Sequence, residues 1–518
     1  MDSLDATLQK AWDSTCRVVL KRELGKLDRF RPWLLEHIPK MTFRDSPFGK
    51  VALARDCYPK EASFVPQEKA TINKEFSLSI NQIKDIDSII SACLERFEYV
   101  GNKVLGNSSF VRNSDIVIDS QYVNNSSNIE ESSYTDCSFM VRKGSKYCFG
   151  SGYCGQSEFL VRTVGTFNSK YCFESYFVPD CNSAYFCQSC YGCREIMFCF
   201  GQRNAFYKIG NLQLSKDKYL ALKEKLLEEV CDELVKEGRF PSLFEMAEDS
   251  QERMEKLEFE SEEARQNMGI IDSGFGKTSK IIFKRELGPI KEYEKWLMNN
   301  GERIVKMKSA FGREVSIPVS FAYFSALPRD RIINFIEMER IGQHSLCQGD
   351  IASMKRLKQS IGKIAYFTPE FYAGNNSNNI SSPVVFHGTN VYKTYDATYA
   401  DNIGASFLAL NSKYIYGGFR ILESQFSIKC YNSLYMNRCF EMDSCSKCSD
   451  CYFCHNCESL ADCMFCFSAK GRRNMIGNTQ LSKEDYAKIK EALVQQMASE
   501  LERSKSLQFS IYLERQKS

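Results

Sequence analysis

The 518 residues contain only four histidines (His37, His344, His387 and His455), three tryptophans and twelve prolines. So few imidazoles leave little material for histidine-based metal or acid–base sites. No stretch approaches the roughly 18 consecutive apolar residues of a membrane span. The polar opening MDSLDATLQKAWDSTC does not read as a secretory leader. The expectation is a cytoplasmic protein, or one inside an intracellularly assembled particle, without a membrane partner. Charge of neither sign dominates: 68 Lys+Arg against 65 Asp+Glu gives a formal net charge of +3, so composition does not point to nucleic acid. The phosphate-loop, dinucleotide, GxSxG and HExxH spacings are all missing. The nearest approach, DSGFGKTSK at 272–280, lacks the phosphate-loop spacing. These absences predict a protein that is not an enzyme, with no catalytic residue to name.

What is abundant is cysteine, with 23 residues, and aromatic rings, with 37 Phe and 26 Tyr. The chain also repeats itself. Lys21-Arg-Glu-Leu-Gly25 recurs as Lys284-Arg-Glu-Leu-Gly288, and Trp33-Leu34 as Trp296-Leu297, both at an offset of 263. Tyr185-Phe-Cys187 recurs as Tyr452-Phe-Cys454, and Ile209-Gly-Asn211 as Ile476-Gly-Asn478, at an offset of 267. Repeats at a fixed offset imply one structural unit used twice. Each copy runs from a helical and mixed segment, through a Ser/Asn/Tyr/Cys-rich region, to a closing helix. Ser215 and Ser482 are placed to cap the closing helices, with acidic residues in the first turn. Residues 241–268, charged and with apolar residues at helical spacing, read as a linker helix.

The Cys-rich regions keep a period of three. Stepping back from Cys466 to Ser382, all 29 positions are small, aliphatic or sulfur-containing, and none is charged, amide-bearing or aromatic. The same walk holds from Cys199 to Ser145, then fails at Arg142, Asp136 and Glu130, where the ladder ends or bulges. A period of three is neither helix nor simple strand. It fits a narrow coil that turns one side chain inward per three residues. This geometry is similar to the 12-residue coils of beetle antifreeze β-helices; pentapeptide-type and left-handed β-helices fit the strict triplet less well.

Seventeen of the cysteines lie on the ladders. Continuity with Ser, Ala, Val and Ile in the same phase favours a packed core, since free cysteine behaves as a small hydrophobe. Disulfides across the bore and metal binding are the alternatives. The metal reading, zinc or an Fe–S cluster, would use Cys187, Cys190, Cys193, Cys199, Cys445, Cys448, Cys451, Cys454, Cys457, Cys463 and Cys466. His455 falls outside the ladder phase and reads as a surface residue. The rings between ladder positions form either a second layer under the chain's own helices or an interface; Tyr147, Phe149, Tyr171, Phe173, Tyr185, Phe186, Tyr452 and Phe453 are the interface candidates. Single-stranded nucleic acid stacked on such rings would find basic contacts in Arg203, Lys208, Lys470, Arg472 and Arg473.

FCFGQRNAFYKIGNLQLSKDKY (198–219) resembles the closing motif G-x-R-N…Y…N-x-Q-x-S-K-E-x-Y of Cys-rich, CxxC-ladder proteins common in candidate-phylum bacteria, and FYAGNNSN (371–378) resembles their opening segment. The second copy, KGRRNMIGNTQLSKEDY, lacks the middle Tyr. The resemblance implies the same ladder architecture. Where that family carries CxxC pairs near its N-terminus, this chain has isolated Cys16 and Cys57.

The expected fold is α+β: two tandem copies of a helical or mixed segment (1–110 and 275–380), each followed by a narrow Cys-rich β-solenoid (111–214 and 381–481) and a capping helix (215–274, including the linker helix, and 482–518). The expected role is a structural or assembly component, scaffold- or shell-like, acting as a homo-oligomer or in a larger assembly without a cofactor. The alternatives are a zinc- or Fe–S-binding protein and an RNA- or ribosome-associated factor.

Overall fold

The computed structural model describes residues 3–79, 82–83, 85–94, 96–254, 266–319 and 321–512. It is a mixed α/β structure whose strands are mostly parallel. Two stacks of short parallel strands dominate it. In the first, four-residue strands pair in steps of twelve, as Ser109↔Gln121↔Ser133 on one side and Asp115↔Ser127↔Phe139 on the other. In the second, Tyr395↔Phe407↔Phe419↔Tyr431 and Lys413↔Gln425↔Asn437 keep the same step. Each twelve-residue circuit of the chain thus lies on the one before.

Within the first stack the step lengthens midway. Ser133 pairs Lys146 and Phe139 pairs Gly152, steps of thirteen. Lys143 and Gly144, both with positive φ, take up the extra residue. Upstream of it the inward positions shift by one, to Val141, Ser138, Thr135, Ser132 and Ile129, all buried. The ladder therefore bulges at Gly144 and continues, reaching back at least to Val111, which packs against the inner core.

A recurring backbone device makes the triplet possible. The residue before each inward position is left-handed, for example Tyr122 (φ 55°), Tyr134 (56°), Tyr147 (57°) and Phe453 (54°). Left-handed geometry costs an L-residue roughly 1–2 kcal/mol. Pairing to the circuits above and below offsets it: Asn125 N–H donates to Arg112 O (3.2 Å), and Ser127 N–H to Ser138 O (3.1 Å). The inward residues alternate between two tasks. Within strands many are aliphatic, such as Val123 and Ile129. At corners many are Ser, Thr or Cys, because a corner N–H needs a partner. Ser126 Oγ donates to Asn124 O (2.6 Å) and accepts from Ser138 N–H one circuit later (3.0 Å).

Helices cover one side of each stack. Ser3–Leu20 and Leu27–Leu34 lie on the first, with Trp12 against Phe149 and Trp33 against Phe173. Met268–Phe283 and Ile290–Leu297 lie on the second, with Phe283 and Trp296 against Phe440. The closing helices Lys216–Glu237 and Lys483–Ser504 start on Ser215 and Ser482, whose side chains accept from Lys218 and Asp485 N–H. The expected linker helix is helical only at Leu243–Asp249; residues 250–254 are not helical, Met268 already opens the next helix, and 255–265 lie outside the described residues.

The stacks lie side by side and run in opposite directions: Glu130 meets Arg420, Tyr153 meets Asp396, and Phe177 meets Phe371. This places the start of each stack beside the end of the other. The mixed segment before the first stack consequently packs on the second: Val51, Phe64 and Tyr99 share a core with Tyr452, Phe467 and Tyr512. Residues 304–371 pack reciprocally on the first stack, where Tyr323 and Phe367 meet Tyr176 and Phe200. The ends of the stacks are closed by these exchanged segments. Leu346 N–H donates to Gly210 O (2.9 Å), and Phe76 N–H to Asn478 O (3.3 Å). Sequence patterning assigns end-capping to the closing helices; their flank instead packs alongside, as in the Lys223–Glu195 ion pair (2.7 Å).

Candidate functional site: thiol ladders, a buried polar seam and the outer faces

All seventeen ladder cysteines are buried, and all 23 cysteines are unpaired thiols. Most ladder thiols donate to a carbonyl two residues back, as Cys187 to Tyr185 O (3.2 Å), Cys448 to Ser446 O (3.2 Å) and Cys457 to His455 O (3.2 Å), while Cys181 donates to Cys190 O (3.5 Å). Three also replace a corner hydroxyl as acceptor. Cys193 N–H donates to Cys181 Sγ, Ala205 N–H to Cys193 Sγ, and Cys457 N–H to Cys445 Sγ, all at 3.4 Å. These thiols thus do the work of serine.

A metal needs several thiolates converging on one point. Among the described residues no group of three or more His, Cys, Asp or Glu side chains gathers in that way. Burial pushes the Cys172 thiol up to about 12, and Cys445 to about 12. Cys463 is pulled down to about 5 by hydrogen bonds from Cys451 and Cys466, whose own thiols are held well above the usual range. Cys454, bonded to Cys451, Cys457 and Cys466, is pulled down in the same way. Their lone pairs and protons are already engaged with neighbours, an arrangement that does not fit a preformed zinc or Fe–S site.

His455 is fully buried, contrary to the surface position its phase suggests. It faces outward from the bore but into the exchanged segment. Val100 N–H donates to its Nε2 (2.9 Å), and its Nδ1 lies 2.9 Å from Asp443 Oδ2. Tyr58 Oη donates to the same carboxylate oxygen (3.3 Å). Burial alone would push Asp443 up; the His455 bond and nearby cations hold it below the usual range. An Asp–His pair performs base catalysis only with a free second nitrogen. Here that nitrogen is occupied, and the pair ties the second stack to the segment at 98–101. Gln188, 267 residues earlier, does the equivalent work, accepting from Tyr323 Oη (3.1 Å) and donating to Thr368 O (3.3 Å). A histidine paired with a carboxylate twelve residues before it was a signal available in the sequence, one circuit being twelve residues.

Of the candidate interface rings, Phe149, Phe173, Tyr185, Phe186, Tyr452 and Phe453 are buried by the chain's own helices and tail. Tyr185 Oη donates to Val19 O (2.9 Å), and Tyr452 Oη to Ile282 O (2.9 Å). The second-layer reading describes these six. Tyr147 and Tyr171 are half-buried members of a row of six rings, Phe110, Tyr122, Tyr134, Tyr147, Phe159 and Tyr171, with centroids 4.7–5.6 Å apart. The candidate basic contacts are mostly engaged. Arg203 pairs Glu339 (3.2 Å), Lys470 pairs Glu458 (2.8 Å), Arg472 pairs Glu75 (3.3 Å), and Lys208 donates to Gln202 (2.7 Å). Arg473 is exposed. Arg203 and Lys470 lie at the ends of different, antiparallel stacks, so the five do not form one stripe. No helix among the described residues is long and apolar enough to cross a membrane.

No family model, curated protein or solved structure matches this chain.

Proposed function

We propose that the chain is a duplicated β-solenoid unit and that it acts as a non-enzymatic structural or assembly component. The observation that carries this reading is the reciprocal exchange. Each solenoid end is covered by the mixed segment of the other copy, through Leu346 on Gly210 and Phe76 on Asn478. A ladder end left open would offer unpaired backbone to any other strand. The chain covers the C-terminal end of each stack itself, so stacking on those ends is blocked and the side faces are left to meet partners. Chief among these is the aromatic row headed by Phe110, which is 49 % exposed.

The same row weighs against the nucleic-acid reading. Stacking with a base needs an open ring face, and the four inner rings have both faces covered by neighbours in the row, leaving their edges. Apolar edges in a straight row suit a flat protein surface, such as a second copy of the chain. Light scattering across concentration tests the proposal. Discrete species larger than one chain, lost when Phe110 and Tyr147 are both changed to Ser, support it; a strict monomer at all concentrations with no recoverable partner would sink the homo-assembly reading.

A further inference from the structure

The two halves differ where the segment from the other half meets the end of each stack. In the first half, the helix Phe335–Ile341 lies against the end of the stack, with Phe335, Met338 and Glu339 lining a nearly closed contact with Ser189, Tyr191, Gly201, Arg203 and Phe371. Arg203 there pairs Glu339 and lies 5.5 Å from the Phe335 ring. The corresponding stretch of the first mixed segment is the short turn Gln67–Lys69. It leaves an open groove of about 640 Å³ in the other half. Asn456, Glu458 and Lys470, the residues 267 positions after Ser189, Tyr191 and Arg203, line that groove.

The groove also lacks the ring that fills its counterpart. Phe177 lies over Gly165 in the first half, where a Cβ would be 2.8 Å from the ring. The residues 267 positions later are Ser444 and Asn432, both lining the groove. Ser444 has the same left-handed backbone as Phe177 (φ 55° and 52°). The groove holds unmet polar atoms as well: Arg420 Nη1 and Asn432 Oδ1 are buried without a hydrogen-bond partner, in side chains only 5 % and 6 % exposed. Leu105, Ile116, Ile118 and Leu434 supply apolar wall, and Lys447, Lys470, Asp119 and Glu458 line it with charges of both signs. Asp119 already accepts from Asn107 N–H (2.8 Å) and Glu458 pairs Lys470.

We infer that this groove is a docking site for an acidic, amphipathic helix of a partner protein. The helix would present apolar side chains at i and i+3, and a carboxylate to the Lys470 rim. The inference rests on the duplicated-unit reading, since the occupant is deduced from the chain's own helix at the equivalent place. Helix-in-groove recognition with anchors at this spacing is a recurrent mode, and Phe335 and Met338 are such a pair.

The probe is a fluorescein-labelled peptide of residues 333–343, INFIEMERIGQ, titrated with the full chain by fluorescence anisotropy. Saturable binding is expected. The double variant Asn432→Gly with Ser444→Phe, which rebuilds the filled arrangement of the first half, should abolish it. Lys470→Glu should weaken it several-fold, and the peptide carrying Glu339→Lys should recover the loss on that variant. No binding to the wild-type chain at millimolar concentration, or binding indifferent to both variants, overturns the inference. Benzoylphenylalanine placed at Asn73 and at Gln343 tests the underlying reading separately. Cross-links to the ends of the second and first stacks respectively uphold the equivalence of the halves, whatever the peptide does; failure of both cross-links removes the premise.

Discussion

Asn211 and Asn478, 267 residues apart, make the same set of hydrogen bonds at the two stack ends. Each Oδ1 accepts the N–H of a phenylalanine eleven residues earlier, Phe200 (2.9 Å) or Phe467 (3.0 Å), and each Nδ2 donates back to that residue's carbonyl (3.2 and 2.9 Å). The remaining Nδ2 hydrogen reaches into the other half, to His344 O (2.9 Å) or Lys74 O (3.0 Å). One side chain thus closes the last circuit and clasps the exchanged segment.

Asn478→Ala leaves one buried N–H and two carbonyls short of partners. At roughly 1–3 kcal/mol for an unsatisfied buried group, a net loss of about 2–3 kcal/mol is expected in denaturant unfolding. Asn211→Ala should cost a similar amount. A loss below about 0.5 kcal/mol for both would show that the clasp does not hold the ends.

The corner thiols and hydroxyls are interchangeable if their task is to satisfy a corner N–H. Cys445→Ser should leave the melting temperature nearly unchanged, because Ser433 already performs that task for Cys445 N–H at 3.2 Å. Cys445→Ala orphans Cys457 N–H and should cost about 1–2 kcal/mol. Equal effects of Ser and Ala would contradict the assignment.

Gly144 is the one extra residue in its circuit. Deleting it should give a soluble, folded chain, because Val141 then stands three residues from Ser145 and the phase is restored. Deleting Gln156, inside a regular twelve-residue circuit, turns the residues on one side of it out of phase and should prevent soluble expression. Equal tolerance of both deletions, read by circular dichroism and melting, would refute the bulge.

Thiol reactivity separates packed from metal-bound cysteines. In the native chain a disulfide reagent should rapidly modify exposed Cys347 and slowly reach half-buried Cys57, leaving the other thiols untouched until denaturation exposes all 23. Near-stoichiometric zinc released on denaturation, or a visible chromophore in anaerobically purified protein, would instead establish the metal alternative.

Burial pushes the Glu370 carboxyl up to about 7, with Glu337 adding to it, although Ser316 and Phe335 N–H both bond the side chain. A folded-state value above the unfolded one means the folded chain holds a proton the unfolded chain has lost. The stability it confers is full below about pH 4.3 and falls as pH rises to about 7, by up to about 3 kcal/mol. Glu370→Gln should flatten that part of the profile, whatever constant offset it adds. His37 acts in the opposite sense: burial, with Arg162 beside it, pulls it well below its ordinary value, so its contribution is lost as pH falls below about 6.5. Unfolding free energies of wild type and Glu370→Gln between pH 4.5 and 8 check this, and parallel slopes would exclude it.

The period of three, from Cys466 back to Ser382, was legible without coordinates because every inward position meets the same constraint, a bore too narrow for a ring, an amide or a charge. The N-caps Ser215 and Ser482 were legible because capping is local. The left-handed residue before each inward one left a weaker trace, in the Asn at 113, 125, 128, 168 and 204, diluted by the Tyr and Phe that occupy the same site. What tertiary structure alone decided is who covers whom. Antiparallel side-by-side packing brings the start of one stack to the end of the other, so the segment that precedes each stack in the chain packs on the other. That packing buries His455 and leaves the groove at Arg420 open. Such exchange depends on contacts hundreds of residues apart, and neither periodicity nor capping carries any record of them.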